Sequence, residues 1–450
     1  MSVKFIHAAD LHIDSPMRGL ARKDGAVAES VRDATRRAFK NLTQTAIAEK
    51  VDFVIIAGDL FDGRWDDRET GVWTSKEFGK LAANGIPVYL AFGNHDGANP
   101  IIKNMRERLF GDDVKVFSTK RPERFLFEKD GERIAIVGQS YPEAKCVKNL
   151  ASKYPVPERD AYNIGVLHTG LEGSAGETIV YAPTSVAELQ RKGYQYWALG
   201  HQHKREIFDA SLDSFIAYSG STQARHINES ENSDGTHSKG FFLAEVENGR
   251  LKDLPRFVAS DAYRWYTARL DLEQVEGESE PREALCSLFR AKAAELLEES
   301  ENRGVAARVV LSGRTSLYRR LEEEREDISE GTIYNELRAS LGTLEERFKI
   351  ESFDIDEARA PIPADFWDRG ALKSLKERLD ARGAAFEESA RADVSAEAPE
   401  LEELGKTLGK YRKEFLSERV VDWTDARNLA KWNQRAIDAL ADALLRAANE

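Results

Sequence analysis

Cysteines, long apolar runs and a nucleotide-binding loop are scarce or absent in this 450-residue sequence. The two cysteines, Cys146 and Cys286, lie far apart and outside any ligand spacing, which fits a reducing compartment and argues against thiolate metal sites. No apolar run approaches the roughly 20 residues that span a bilayer, and the chain enters a strand pattern too early to leave room for a signal peptide. We therefore expect a cytoplasmic protein without membrane contact. Because no Gly-x-x-x-x-Gly-Lys loop is present, any ATP hydrolysis is expected from a partner.

The sequence also lacks the net positive charge that is common in proteins that bind nucleic acid. Its formal net charge is −13 at pH 7. Residues 1–260 contain 35 Lys and Arg against 36 Asp and Glu, whereas residues 261–450 contain 30 against 42. The acidic excess belongs to the back of the chain, where a solvated surface is its ordinary explanation. The charge balance neither excludes DNA as a partner nor supports it.

Five apolar, strand-like runs in the first half of the chain each end in side chains that bind metals or phosphate. In chain order these side chains are Asp10 and His12; Asp59 and Asp62; Asn94, His95 and Asp96; His168; and His201 and His203. Helical patterns separate the first three runs, an alternation that indicates a mostly parallel sheet. Ligands of such sheets bind at the carboxyl ends of the strands. His7 lies within a strand and is interpreted as a structural histidine.

The spacing of these residues favours a metal site. Asp10 and His12, two residues apart on a chain leaving a strand, point the same way and can share one cation. Gly58 permits a close approach beside Asp59, which makes this carboxylate the natural bridge between two ions. Oxygen and imidazole ligands suit Mn²⁺, Fe²⁺ or Zn²⁺ better than Mg²⁺ or Ca²⁺.

The ordered set Asp-x-His, Gly-Asp-x-x-Asp, Gly-Asn-His-Asp, His and Gly-His-x-His resembles that of the calcineurin-like metallophosphoesterases. The resemblance covers roughly residues 1–260. Three of these motifs are similar to those of the SbcD-type DNA repair exonuclease family, in its YhaO-like branch: residues 10–16, Gly-Asp-Leu-Phe-Asp and Gly-His-Gln-His. The resemblance implies an α/β (α+β) fold, a four-layer metallophosphoesterase β-sandwich flanked by helices with a two-metal site at its loop edge.

The resemblance also implies which residues act. The first metal would take Asp10, His12, Asp59 and His203, and the second would take Asp59, Asn94, His168 and His201. The two divalent ions are expected to be Mn²⁺, with Fe²⁺ or Zn²⁺ as alternatives, and to support in-line attack by a metal-bound water. His95 would be the general acid, with Asp96 holding its other ring nitrogen and Asp62 orienting His95 or the metals. Arg18 and Arg64, which follow metal motifs within a few residues, are the candidate substrate-binding residues.

The back of the chain divides by composition. Residues 261–360 read as a small α+β unit that corresponds in position to the capping domain of SbcD-type nucleases. Pro361-Ile362-Pro363 reads as a linker. Residues 361–450 read as a helical C-terminal region whose apolar stripe either packs on its own domain or docks on an SbcC-like coiled-coil ATPase. A homodimer is a further possibility.

The sequence thus predicts a two-metal phosphodiesterase, foremost a DNA exonuclease or endonuclease acting in repair. Three alternatives stay open. One is another metallophosphoesterase, such as a phosphatase or a small-molecule phosphodiesterase, although a small substrate does not need the long back region. The others are a non-catalytic scaffold, which the complete ligand set argues against, and a mainly DNA-binding subunit of an ATPase complex.

Overall fold

A computed structural model describes most of the chain in two compact units. The described residues are 2–15, 33–63, 67–102, 109–171, 181–325, 332–362, 365–368 and 371–391, together with 437 and 441. One compact unit comprises Met1–Leu270, Cys286–Val310 and Tyr334–Asp354. The other comprises Asp271–Leu285, Leu311–Ile333 and Ile355–Glu450. The domain limits expected after residues 260 and 360 remain predictions.

The described residues contain seven α-helices and sixteen strands. The helices are α1 (Ala34–Ala48), α2 (Arg68–Ala83), α3 (Val186–Arg191), α4 (Pro281–Glu299), α5 (Tyr318–Glu323), α6 (Ile333–Ser340) and α7 (Ala371–Arg391). The first eight strands are β1 (Ser2–Ala8), β2 (Phe53–Ala57), β3 (Val88–Ala91), β4 (Val114–Val116), β5 (Glu123–Lys129), β6 (Glu132–Gly138), β7 (Tyr162–His168) and β8 (Tyr196–Gly200). The others are β9 (Glu206–Ala210), β10 (Phe215–Tyr218), β11 (Gly240–Glu247), β12 (Arg250–Leu251), β13 (Arg256–Ala259), β14 (Tyr263–Asp271), β15 (Gly304–Arg314) and β16 (Phe348–Arg359).

The first sheet has seven strands in the order β12-β11-β1-β2-β3-β4, with β13 also paired to β11. Strands β1 to β4 are parallel, and helices α1 and α2 connect the first three of them. The parallel arrangement predicted from the strand–helix alternation is therefore confirmed. It brings the carboxyl ends of β1, β2 and β3 to one edge.

The second sheet has six strands in the order β5-β6-β7-β8-β10-β9. Its central strands β6, β7, β8 and β10 are parallel, and β5 and β9 pair antiparallel at the two edges. Asp130 and Gly131 join β5 to β6 with positive φ angles of 53° and 88°, the left-handed pair that a two-residue hairpin turn requires. The sequence Lys129-Asp130-Gly131 between two strand-like runs predicts this hairpin, and the structure confirms it.

The two sheets pack face to face between two helical layers. Alternate residues of β1 and β2, such as Phe5 and Phe53, join Ile164 and Tyr196 of the second sheet in a buried core between the sheets. The intervening residues of β1 and β2 pack with α1 and α2 in a second core. A third core lies on the outer face of the second sheet and includes Leu189 of α3. Burial on both faces explains the continuous apolar runs, and the predicted four-layer sandwich is confirmed.

Beyond the sandwich, β14, β15 and β16 form a three-stranded sheet in that order. Within the second compact unit, the main-chain N–H of Thr315 donates to the carbonyl of Arg359 at 2.9 Å. Most of the predicted helices after residue 391 lie outside the described residues. Among the helices that the structure describes, none is long and apolar enough to cross a membrane.

Candidate metal centre

The turns that follow β1 and β2 hold three predicted ligands in left-handed backbone conformations. Asp10, His12 and Asp59 have φ angles of 52°, 41° and 53°, which non-glycine residues rarely adopt. The main-chain N–H of Asp10 donates to the carbonyl of Gly58 at 3.0 Å, and that of His12 donates to the carbonyl of Asp59 at 3.0 Å. The two turns are thus bonded to each other. Strain of this kind persists where surrounding contacts over-determine it, as at functional sites.

Asp10, His12 and His203 form a first group whose ligand atoms lie within 4.8 Å of one another. The Nε2 atoms of His12 and His203 are 3.2 Å apart, and His203 Nε2 is 3.9 Å from an Asp10 carboxylate oxygen. Burial, and then the positive charge of Arg225, lower the pKa of His12 well below its usual value. Burial and the nearby positive charge therefore both favour a neutral His12 imidazole, the form that ligates metals.

The donor atoms of this group fit a cation. Nδ1 of His203 lies 2.7 Å from a Glu229 oxygen and takes the donor role, which leaves a lone pair on Nε2 directed at His12. Imidazole nitrogens beside a carboxylate such as Asp10 are ligand types that divalent first-row metals accept. A divalent cation that accepts both Nε2 lone pairs fits this arrangement, so the residues present suit a metal.

Asp10, Asp59 and His168 form a second group with the same mutual reach. His168 Nδ1 lies 2.9 Å from the carbonyl of Ala57, which fixes its ring so that Nε2 faces the site. That Nε2 is 3.3 Å from Asp59 Oδ2 and 3.0 Å from the side-chain oxygen of Asn94. Burial lowers the pKa of His168, but the nearby carboxylates of Asp59 and Asp10 outweigh it and raise that pKa to about 9. Asp59 Oδ2 and the Asn94 side-chain oxygen thus both lie within reach of a cation bound at His168 Nε2.

Asp59 belongs to the second group and also lies close to His12 of the first. Its Oδ2 atom is 3.3 Å from His168 Nε2 and 3.8 Å from His12 Nε2. Burial raises the pKa of Asp59, but His168 outweighs that effect and holds it well below its usual value. The carboxylate is therefore ionised and placed where a bridging ligand would be.

Gly93 makes this geometry possible. A Cβ atom added there would lie 2.3 Å from Asp59 Oδ1 and 2.7 Å from two ring atoms of His168. These distances leave no room for a side chain. The glycine of the Gly-Asn-His-Asp motif is therefore required by the packing of two candidate ligands.

His95 is held at the rim of the site by Asp62. Its Nδ1 is 2.8 Å from an Asp62 oxygen, and its main-chain N–H donates to Asp59 Oδ1 at 2.9 Å. Burial lowers the pKa of His95, but the hydrogen bond to Asp62 and the negative charges of Asp59 and Asp62 together outweigh burial and raise that pKa. With Nδ1 engaged, Nε2 is the ring atom available to a substrate.

The structure corrects the expected role of Asp96. Its carboxylate is buried and accepts hydrogen bonds at 3.1 Å from the main-chain N–H groups of Leu60, Phe61 and Gly93, so it does not hold the second nitrogen of His95. Burial, reinforced by the charge of Asp59, raises the pKa of Asp96 to about 7. Asp96 instead joins the turns that follow β2 and β3 by hydrogen bonds, and Asp62 is the carboxylate that orients the His95 ring.

Two residues at this site escaped the sequence reasoning about candidate site residues. Glu229 orients His203 and also accepts the main-chain N–H of Arg225 at 2.8 Å. The sequence predicts for Arg225 only a contact with a phosphate backbone, as one of several basic residues near the loops; its guanidinium donates to Ser15 Oγ at 2.9 Å and lies 3.7 Å from Asp62. Arg225 thus connects the carboxylate that orients His95 with the one that orients His203. No local motif marks Glu229, which follows Gly220 by nine residues in a polar stretch.

Residues 228–239, which are rich in Asn, Ser, Asp and Gly and so predict an exposed loop, are exposed only in part. Lys239 is buried, and its Nζ donates to Asn232 at 2.7 Å and to the carbonyl of His203 at 3.2 Å. Burial lowers the pKa of Lys239 to about 8. The segment supports the His203 turn, so its polar composition reflects internal hydrogen bonds as well as exposure.

The remaining predicted residues have different outcomes. The His201 main-chain N–H donates to Asp10 at 3.0 Å, and its ring centre lies 5.1 Å from that of His168, although His201 joins none of the donor groups found among the described residues. Its ligand role stays a prediction. Arg18 and Arg64 lie outside the described residues. His7 contacts the Tyr196 hydroxyl and the Leu199 carbonyl within the core, as expected for a structural histidine.

A cavity of about 430 Å³ opens beside His95. Its lining includes Ser15, Asp62, Arg225 and Glu229. The orienting carboxylates and the arginine therefore lie at the entrance to the candidate metal centre, where a substrate phosphate and its leaving group would approach.

Comparisons with known proteins agree with this geometry. The calcineurin-like phosphoesterase family matches residues 3–205, and the middle domain of metallophosphoesterase YhaO matches residues 265–357. An uncharacterized metallophosphoesterase YhaO from Bacillus subtilis is 31% identical over 394 residues, which are 87% of this chain and 88% of that protein. The DNA double-strand break repair protein Mre11 from Methanopyrus kandleri is 26% identical over 347 residues, 73% of this chain and 72% of that protein. Its namesake from Methanocaldococcus jannaschii is 28% identical over 253 residues, 55% of this chain and 63% of that protein.

Proposed function

Because the chain belongs to the calcineurin-like metallophosphoesterases of the SbcD and Mre11 type, and so to the metal-dependent phosphoesterases, we propose that it is a DNA nuclease. The family uses a dinuclear metal site, and this chain contains candidate residues for one. The proposed reaction is hydrolysis of a phosphodiester bond, by exonuclease or endonuclease action, in DNA repair.

The position of Asp59 Oδ2 between the Nε2 atoms of His168 and His12 carries the proposal. One ionised oxygen within 4 Å of two imidazoles from different sheets is the arrangement that a shared pair of cations needs. When bound, two divalent cations supply Lewis-acid charge for an in-line phosphoryl displacement. Asp10, His12, Asp59 and His203 would hold one ion, and Asp59, Asn94, His168 and His201 would hold the other.

His95 supplies the acid chemistry in this proposal. Asp62 holds its Nδ1 and Asp59 holds its main-chain N–H, so Nε2 is fixed at the mouth of the cavity. A protonated Nε2 donates its proton to the leaving oxygen as the phosphorus–oxygen bond breaks. Arg225 positions Asp62 and Glu229, and through them His95 and His203.

Similarity outside the catalytic sandwich supports DNA as the substrate. The DNA double-strand break repair protein Mre11 from Methanopyrus kandleri matches 347 residues, more than the sandwich alone contains. A small phosphodiester does not require so long a shared region. By the same resemblance, we propose that residues 261–360 cap the site and residues 361–450 dock an SbcC-like ATPase.

Several finer features belong to this proposal. Mn²⁺ is the proposed ion because the ligand set mixes carboxylate, amide and imidazole donors. A homodimer and a cytoplasmic location are proposed with it, the latter because a chain of 450 residues with only two cysteines suits a reducing compartment.

The test is hydrolysis of end-labelled duplex and single-stranded DNA with Mn²⁺, run beside bis-p-nitrophenyl phosphate and repeated with EDTA. We expect metal-dependent cutting of DNA and of the small diester. Turnover of the small diester with intact DNA, in the presence and absence of a candidate ATPase subunit, would contradict the nuclease and favour a small-molecule phosphodiesterase. Failure to bind Mn²⁺, Fe²⁺ or Zn²⁺ would contradict the metal centre itself.

A further inference from the structure

Helix α1 carries positive charge in an acidic protein. It contains Arg36, Arg37 and Lys40 but neither Asp nor Glu, whereas the whole chain has a formal net charge of −13. Arg36 is used internally, because its Nε donates to an Asp14 oxygen at 2.6 Å. Arg37 and Lys40 are exposed, and neither forms an ion pair with a described residue. Two uncompensated cations therefore face solvent on this helix.

These cations belong to one polar helix face. Arg37, Lys40, Asn41 and Gln44 are spaced three and four residues apart, so they share a face, and all four line a cavity of about 400 Å³. The guanidinium of Arg37 lies 5.9 Å from the ring centre of Tyr263. This contact orients the guanidinium while leaving its N–H groups open to a ligand.

The carboxylates that line the same cavity are already neutralised. Asp261 is buried, with one oxygen 3.2 Å from Arg264 Nε and the other 2.6 Å from Arg303 Nε. Glu301 lies 2.8 Å from an Arg264 nitrogen. The surplus charge of the cavity is therefore the pair of cations on α1, and the expected ligand is an anion.

The start of α1 is hydrogen-bonded to the segment that follows the candidate ligand His12. The main-chain N–H of Asp14, two residues beyond His12, donates to Thr35 Oγ1 at 3.0 Å. With a rise of about 1.5 Å per residue, Lys40 lies about 8 Å along the helix from Thr35. Successive nucleotides of a strand rise by about 3.4 Å, so this distance corresponds to roughly two nucleotide steps.

We propose that the α1 face, defined as Arg37, Lys40, Asn41 and Gln44, is a second phosphodiester-binding site that holds the backbone of duplex DNA beside the metal centre. Basic and amide side chains are the groups that contact DNA phosphates and fix the register of a protein on the duplex. This inference rests on the proposed nuclease function and adds a positioning contact distant from the bond that is cut.

The test is a double substitution, Arg37→Gln with Lys40→Gln, in the full chain. A matched control replaces Arg159 and Arg191 by Gln, which removes the same charge near the amino ends of β7 and β8, at the opposite edge of the sheet. Fluorescence anisotropy with a labelled 30-base-pair duplex, at several salt concentrations in Ca²⁺, gives the affinity. Turnover of bis-p-nitrophenyl phosphate with Mn²⁺ reports on the metal centre.

We expect the α1 variant to bind duplex roughly tenfold more weakly or worse, with a salt slope shallower by about two, and to hydrolyse the small diester at the wild-type rate. The control should bind as the wild type does. Equal affinity and equal salt slope in the α1 variant and the wild type would overturn the inference while leaving the nuclease intact. A wild-type protein that turns over the small diester but neither binds nor cuts DNA would overturn both, and the two failures are distinct.

Discussion

The two sheets of the sandwich contribute different chemistry to one site. The first sheet supplies the carboxylates Asp10 and Asp59, together with the imidazole of His12, from strained turns that are bonded to each other. The second sheet supplies the imidazoles of His168 and His203, whose rings are oriented from outside their own strands. His168 is oriented by the Ala57 carbonyl of the first sheet, and His203 is oriented by Glu229. Neither sheet alone carries a complete ligand set, so metal binding requires the sandwich to close.

This difference predicts the order of the losses of metal binding and activity that mutations should cause. A carboxylate of the first sheet acts directly on the cations, whereas a partner of the second sheet acts by holding an imidazole in place. Losses should therefore be largest for the bridging carboxylate, smaller for the acid at the rim and smaller again for an orienting group.

The largest effect is expected for Asp59→Ala. This substitution removes the one oxygen that lies near both His12 and His168, so metal content and phosphodiesterase activity should be lost together. Metal analysis and bis-p-nitrophenyl phosphate turnover measure the two losses. Asp52→Ala, which removes a carboxylate just before the same strand, is the control and should retain both. A variant that keeps two metals would show that Asp59 does not bridge them.

His95→Asn should lower kcat by about 10²–10⁴-fold without loss of metal, because it removes a proton donor and no ligand. Burial lowers the pKa of His95, but the hydrogen bond to Asp62 and the charges of Asp59 and Asp62 together raise it, so the acid form extends above the ordinary histidine range. Wild-type activity should fall as pH rises through that raised pKa, and this limb should vanish in the variant. His237→Asn is the matched control. Loss of metal in His95→Asn would assign the residue to the ligand set instead.

Glu229→Ala should weaken metal affinity by about 10–100-fold, the usual cost of losing an orienting partner of a metal-bound histidine. Glu229→Gln keeps a hydrogen-bond acceptor for His203 Nδ1 and should recover part of the loss. Titration of the metal-free protein with Mn²⁺ gives both affinities. Glu231→Ala, in the same segment, should bind as the wild type does. Equal affinities in all four proteins would show that the imidazoles of the second sheet need no support.

The smallest effect on activity is expected for His7→Gln, which changes the core between the sheets. Burial lowers the pKa of His7 to about 4, against an ordinary value of about 6.5 in the unfolded chain. The unfolded state therefore binds more protons between these values, and folding stability falls by up to about 3 kcal/mol as pH drops from about 6.5 to 4. Denaturant unfolding of the metal-free protein should show a shallower loss in the variant over this window. An identical pH dependence would assign acid sensitivity to other groups.

The local sequence pattern was sufficient to predict features that depend on one strand and the turn after it. The apolar runs before Asp10, Asp59 and His168 predict buried parallel strands, and the polar residues after them predict a common edge. The same reasoning failed for Asp96, because its neighbour in sequence, His95, is not its partner in space. The polar composition of residues 228–239 likewise suggested an exposed loop, although Asn232 and Lys239 are buried.

The sequence by itself determined the donors, their order along the chain and their place at strand ends, because side-chain chemistry and the period of two in a strand are local properties. Only the tertiary structure decided which donors meet. It set His12 opposite His203, Asp62 rather than Asp96 against His95, and Glu229 behind His203. These pairs are separated by 26 to 191 residues. The packing of the two sheets sets His12 opposite His203, and the pairing of β2 with β3 brings Asp62 to His95.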